Sequence, residues 1–137
     1  MTPFHLAFPV SDLERTRVFY VDILGCREGR SAERWIDFDF FGHQISAHLV
    51  GDGGGDAGNN AVDGHGVPVP HFGAILSMNE WQALRDRLIG AGVAFGLEPH
   101  VRWHGQPGEQ ATMFVRDPSG NALEFKAFGN QDAIFET

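Results

Sequence analysis

His5-Leu-Ala-Phe-Pro-Val-Ser11-Asp-Leu-Glu14 and His71-Phe-Gly-Ala-Ile-Leu-Ser77-Met-Asn-Glu80 carry one pattern twice. Each is an apolar, extended run opened by His, with Ser six residues later and Glu three beyond that. Ser-x-x-Glu ahead of an apolar-periodic run is the capping-box signature, in which the Ser oxygen takes an amide of the first turn and Glu reaches back to the cap. Asn79 is an alternative cap for the second run. Leu13, Tyr20 and Leu24, with Ile23 beside them, make the apolar stripe of the first helix, and Gly25 ends it. Trp81, Leu84 and Leu88 make the stripe of the second, ended by Gly90 and Gly92. Strand, cap, helix and glycine stop therefore recur together at one offset.

Beyond each helix the period changes to short segments broken by turn residues. These fall at about 26–31, 34–40 and 43–50 in the first half, and at about 93–101, 109–116 and 121–128 in the second. Asp117-Pro118-Ser119-Gly120 is a turn by composition. The expected organisation is one α+β domain of two βαβββ units, about 3–50 and 69–128. Residues 51–66, rich in Gly, Asp and Asn, read as a flexible connection between them. Neither half has much core of its own, so 137 residues make one domain.

The composition narrows the function. Ten basic against eighteen acidic residues give a formal charge of −8, which opposes nucleic acid and anionic membrane surfaces. No apolar run approaches the roughly 20 residues of a membrane span, and no signal segment is read at the start. Cys26 is the single cysteine, so no internal disulfide forms and a cytoplasmic setting is expected. It reads as a buried structural thiol.

Strand alternation assigns faces. Phe4, Leu6, Phe8 and Val10 share one side of the first strand, leaving His5 and Ala7 on the other. Ile45, Ala47 and Leu49 oppose Gln44, Ser46 and His48. Leu123 and Phe125 oppose Ala122 and Glu124, and Phe72, Ala74 and Leu76 oppose His71 and Gly73. The helices cover the apolar faces. His5, His48, His71 and Glu124 then occupy the polar faces of the first and last strands of the two units. Two imidazoles and a carboxylate on one side of a cation suit Fe(II), Mn(II), Ni(II) or Zn(II) and leave positions open for substrate. The plain alternative for each is a half-buried polar side chain.

From Phe4 to Phe128 the chain resembles the vicinal-oxygen-chelate superfamily, which includes glyoxalases, extradiol dioxygenases, fosfomycin-resistance proteins and bleomycin-binding proteins. The resemblance implies a half-open barrel of paired βαβββ units around a central metal. It implies His5, His71 and Glu124 as ligands, with His48 at the fourth position, where glyoxalases place a carboxylate. That set favours the dioxygenases. Their terminal signature has a counterpart in His104 followed by Phe114-Val115-Arg116-Asp117-Pro118-Ser119-Gly120-Asn121-Ala122-Leu123-Glu124. Phe114 stands where that family usually has Tyr, and Phe donates no hydrogen bond.

The function this implies is ring cleavage of a catechol-like small molecule with Fe(II) or Mn(II), Ni(II) or Zn(II) being alternatives. His48 would act as acid and base, and His104 would bond the chelating oxygen from the rim. Its plain reading is an exposed loop histidine. One rival is a metal-dependent lyase, isomerase or thiol transferase using the ion as a Lewis acid alone. Another is a drug-binding protein without catalysis. His65 is a lid residue or simply loop, His43 and His100 read as surface, and Arg102 as a solvated charge or a partner for a substrate carboxylate. A homodimer, with or without exchanged units, fits the long connection.

Overall fold

The structure is a computed structural model that describes residues 1–51, 58–62 and 65–137. Its elements run β1 (His5–Val10), α1 (Leu13–Arg17) continued by a π-helical turn (Val18–Ile23), β2 (Arg27–Ala32), β3 (Trp35–Phe40), β4 (His43–Leu49), β5 (Gly58–Val62), β6 (His65–Val69), β7 (Phe72–Leu76), α2 (Met78–Gly90), β8 (Phe95–Arg102), β9 (Gln110–Arg116) and β10 (Ala122–Phe128), closed by a 3₁₀ turn (Gln131–Phe135). Two four-stranded mixed sheets form, ordered β1-β4-β3-β2 and β7-β10-β9-β8. Each has a parallel pair between the first and last strands of its βαβββ unit and antiparallel pairs elsewhere. The α+β class and the repeat are thus as the sequence implies.

Contacts divide the chain into a first unit, Met1–Ala57 with Asp117–Asn121, and a second, Gly58–Arg116 with Ala122–Thr137. In the first, Phe8, Val10, Ile36, Phe38, Phe40 and Ile45 project from one face of the sheet into a buried core with Phe19, Tyr20 and Leu24. The Tyr20 ring stacks on Phe38 at 5.1 Å. Each such side chain contributes about 1.5–3 kcal/mol when fully buried. In the second unit Trp81, Leu84 and Leu88 of α2 pack with Met113, Val115, Leu123 and Phe125. Trp81 Nε1 donates to the Phe125 carbonyl over 2.9 Å, which satisfies the one polar atom that so large a ring carries inward.

Three local details depart from the sequence reading. Ser77 caps α2 with a complete capping box through Glu80, but α1 is capped by Asp12, whose carboxylate accepts from the Arg15 amide at 2.9 Å. Ser11 is engaged elsewhere: its amide donates to Ser119 Oγ at 2.9 Å. Asp is as good a cap as Ser, so the neighbour one residue on wins once Ser11 has another partner. The helix also widens after Arg17. A Leu24 amide bond to the Phe19 carbonyl spans five residues, and the added residue lets adjacent Phe19 and Tyr20 both face inward. Finally, part of the expected Gly-rich connection 51–66 pairs as the hairpin β5–β6. Asp52–Ala57, Asp63 and Gly64 lie outside the described residues, as does the side chain of His65.

The turn Asp117–Asn121 is built around one carboxylate. Asp117 Oδ1 accepts from the Ser119 and Asn121 amides, and Oδ2 from the Tyr20 hydroxyl at 2.8 Å and from Asn121 Nδ2 at 3.0 Å. Burial, with the Asp117 charge beside it, holds the Tyr20 hydroxyl well above its ordinary pKa.

Candidate metal centre

The parallel register of β7 and β10 sets the site in the second unit. Gly73 lies opposite Glu124. A Cβ on Gly73 would stand 1.5 Å from the Glu124 carbonyl oxygen, so only glycine allows this approach. His71, two residues before Gly73, brings Nε2 to 3.8 Å from Glu124 Oε2. Its Nδ1 lies 2.5 Å from the Pro68 carbonyl oxygen. A carbonyl only accepts, so Nδ1 donates there and Nε2 is the ring nitrogen that faces the carboxylate. The ring is held edge-on to Phe114 at 5.1 Å. A ring nitrogen and a carboxylate oxygen at that separation have the spacing of two groups that hold a cation jointly, and a backbone bond behind a ligating imidazole is the usual way its orientation is set.

Glu124 is largely buried, with side-chain exposure of 13%. Burial raises its pKa, opposed by Lys126 and by His71. Lys126 Nζ stands 3.9 Å from Glu124 Oε1. The pair opens on a cavity of about 500 Å³ lined by Val67, His71, Leu97, His100, Arg102, Gln110, Thr112, Phe114, Glu124 and Lys126. That volume is of small-molecule size.

His5 and His48 lie on the polar face of the sheet in the first unit. Gln44 gives an amide N–H to Asp37 Oδ2 at 3.4 Å, and its carbonyl oxygen faces His5 Nδ1 at 2.8 Å. His5 therefore donates from Nδ1, as His71 does, which leaves Nε2 as its outward ring nitrogen. Ser46 Oγ donates to Asp37 Oδ1 at 2.5 Å and completes the chain of bonds. This carboxylate was missed in the sequence because nothing in Trp35–Phe40 distinguishes Asp37 from Asp39.

The register also revises the repeat equivalence of His48. Ala7 pairs with Ser46 in the first unit as Gly73 pairs with Glu124 in the second. Ser46, not His48, is thus the counterpart of Glu124. His48 lies opposite Pro9 and Trp35, one same-face step farther along, where the second unit has Lys126. From His5 it is four strand residues away, about 13 Å at strand rise.

His104 is 87% exposed, its Nδ1 3.0 Å from Glu109 Oε1, and lies outside the cavity lining. His100, expected at the surface, lines the cavity instead. Register shifts between Leu97 and His100 re-aim it, and no composition signal marks such a bulge. His43 accepts the Phe4 amide at 2.7 Å through Nδ1, a structural use. Cys26 is buried, as expected. Among the described residues no three His, Cys, Asp or Glu side chains gather into one cluster able to hold a metal ion. Of the expected ligands the structure brings together His71 and Glu124. No helix among the described residues is long and apolar enough to cross a membrane.

Comparison with known proteins bears on the fold and the family. A structure of a glyoxalase/bleomycin resistance protein/dioxygenase from Alicyclobacillus acidocaldarius is 32% identical, with TM-score 0.76, covering 98% of this chain and 96% of that one. The genomically encoded fosfomycin resistance protein FosX from Listeria monocytogenes shares the fold at 20% identity and TM-score 0.70, over 96% of each chain. Lactoylglutathione lyase from Agrobacterium tumefaciens shares it at 18% identity and TM-score 0.62, over 92% of each. No match was found among curated proteins. Residues 2–125 match the family described as the Glyoxalase/Bleomycin resistance protein/Dioxygenase superfamily. With paired βαβββ units and a histidine facing a carboxylate across the parallel strands of the second, this chain belongs to that superfamily.

Proposed function

We propose that the chain is a divalent-metal-dependent enzyme whose small substrate chelates the ion through two neighbouring oxygens, and that the reaction is ring-cleaving oxygenation of a catechol-like molecule. The observation that supports this is the His71–Glu124 pair, a ring nitrogen and a carboxylate oxygen 3.8 Å apart at an open cavity. His5 is the proposed third ligand, because its Nδ1 is committed to Gln44 in the way that His71 commits Nδ1 to Pro68. Fe(II) or Mn(II) suits a set of two imidazoles and one carboxylate, ahead of Ni(II) or Zn(II). When bound, the ion would supply Lewis acidity and a place for substrate and O2 to meet.

The chain's own residues do the rest. His71 and Glu124 fix the chelating end of the substrate, and Phe114 and Leu97 pack its ring and exclude water. His48 remains the proposed acid and base, as the one imidazole on the polar face of the first unit besides His5. His104, exposed and paired with Glu109, is a weaker candidate for bonding substrate. One observation favours a second reading. Phe114, beside His71, offers no proton where a ring-cleaving enzyme would use one. A lyase, isomerase or thiol transferase that needs only Lewis acidity is less troubled by that.

Metal analysis of protein purified without oxygen, followed by O2 uptake with a catechol panel, separates these readings. Stoichiometric iron or manganese that is lost in His71→Ala and Glu124→Ala, with uptake and a coloured ring-opened product, is the expected result. Metal with no uptake moves the assignment to the second reading. Failure to bind any divalent metal after reconstitution overturns both.

A further inference from the structure

The cavity wall is a grid set by strand register. Glu124 on β10 pairs with Phe114 on β9, which pairs with Leu97 on β8. Two residues along, Lys126 pairs with Thr112 and Thr112 with His100. Same-face rows are separated by about 6.6 Å along a strand. The row beside the proposed ion is thus apolar apart from Glu124, and the next row is polar. In that second row Thr112 lines the open cavity, and its Oγ1, buried beneath that surface, has no hydrogen-bond partner among the described residues. A buried hydroxyl without a partner is costly, and such a group in a native protein calls for an explanation, a bound ion, water or ligand among them. Lys126 stands next to it on β10 with a half-exposed ammonium, too far from Glu124 for a direct hydrogen bond. Arg102 lines the same wall, paired with Gln110 one row farther on. In a chain of net charge −8, this wall carries two cations against one carboxylate.

We propose that the substrate carries a carboxylate-type anion about one row from its chelating oxygens, held by the Lys126 ammonium and the Thr112 hydroxyl. The proposal rests on the metal-chelate reading for the other end of the substrate. Thr112 donates its O–H to an anion oxygen, and Lys126 adds a charge-assisted bond to the same group. Leu97 and Phe114 sandwich the apolar stretch between the two ends. Selection by charge follows, because a neutral substituent there leaves the hydroxyl unpartnered and a cationic one meets Lys126.

The test uses three probes of one shape: 3,4-dihydroxyphenylacetate, 4-methylcatechol and dopamine, titrated calorimetrically into Mn(II)-loaded protein under argon. The anion is expected to bind about tenfold more tightly than the neutral probe, and the cation most weakly. Thr112→Val and Lys126→Met should each narrow the gap between anion and neutral. Thr112→Val should leave the melting temperature unchanged or higher, since the hydroxyl it removes has no partner among the described residues. Equal affinity for all three probes overturns the proposal, as does a Thr112→Val variant that melts earlier with the gap intact. Mn(II) binding, followed separately by electron paramagnetic resonance, reports on the metal reading. If Mn(II) does not bind, phenylacetate against benzyl alcohol on metal-free protein still tests the polar row. Preference for phenylacetate that disappears in Lys126→Met upholds the row and removes only the metal, and no preference removes both.

Discussion

Gly73 and Glu124 lie opposite one another on parallel strands so closely that a single methyl group on the glycine would overlap the glutamate carbonyl. The obstacle is backbone, which no rotamer change relieves. Gly73→Ala is therefore expected to push β7 away from β10, at a cost of about 1–3 kcal/mol or more. Thermal unfolding and Mn(II) titration check this together: both stability and metal affinity should fall, because the His71–Glu124 spacing depends on that pairing.

Glu124 itself is expected to oppose stability when ionised and metal-free. Burial raises its folded pKa, so its contribution is fully present below the ordinary carboxylate range and is lost as pH rises through the folded value. Glu124→Gln should accordingly raise the melting temperature of metal-free protein at neutral pH, by an amount that shrinks toward acid, while abolishing metal binding. A melting temperature that drops at neutral pH would show that Lys126 and His71 outweigh the burial.

The Gln44 bond to His5 makes a separate prediction. Gln44→Met removes the acceptor behind the ring without touching the core, since Gln44 is exposed. If His5 is a ligand, Mn(II) affinity should weaken about tenfold or more, with little change in melting temperature. Unchanged affinity would remove His5 from the set.

Tyr20 is the single tyrosine of the chain, so its titration can be followed by tyrosinate absorbance without interference. Its folded pKa is raised, with burial the leading cause. The stability this gives is whole below the unfolded value of about 10 and is lost as pH climbs toward the folded one. The native protein should therefore show no tyrosinate until it unfolds in alkali. Tyr20→Phe should cost about 1.5–3 kcal/mol at neutral pH, through the lost bond to Asp117, and flatten the alkaline loss.

Asp12→Ala and Ser77→Ala should each cost about 1 kcal/mol, as helix N-caps do. Equilibrium unfolding in urea would show whether the two caps are equivalent.

The repeat was legible because period and punctuation agreed: an alternating strand, a cap, an amphipathic helix and a glycine stop, all at one shift. Strand boundaries came within two residues for the same reason. The cap of α1 was misassigned because Ser11 and Asp12 are both good caps, and the tie is broken by Ser119, 108 residues away. Alternation placed His71 and Glu124 on polar strand faces, and the structure brings the two within 3.8 Å of each other. His48 as the counterpart of Glu124 was not sound, because alternation gives the face of a strand but not the register between two strands. Pairing Ala7 with Ser46 is a long-range fact. His100 was missed for a similar reason, since a bulge shifts the side-chain sequence by a step that the residues do not announce.

The pairing of Ser46 with Ala7 has an evolutionary consequence. In a chain made of two copies, a position that bears a carboxylate in one copy is under no obligation to bear it in the other. The second copy holds Glu124 there, and the first holds Ser46, whose hydroxyl is tied down by Asp37. Duplication thus lets a symmetric scaffold carry an asymmetric centre, and lets relatives with different donor counts arise by substitution at a single strand position, with the backbone left as it was.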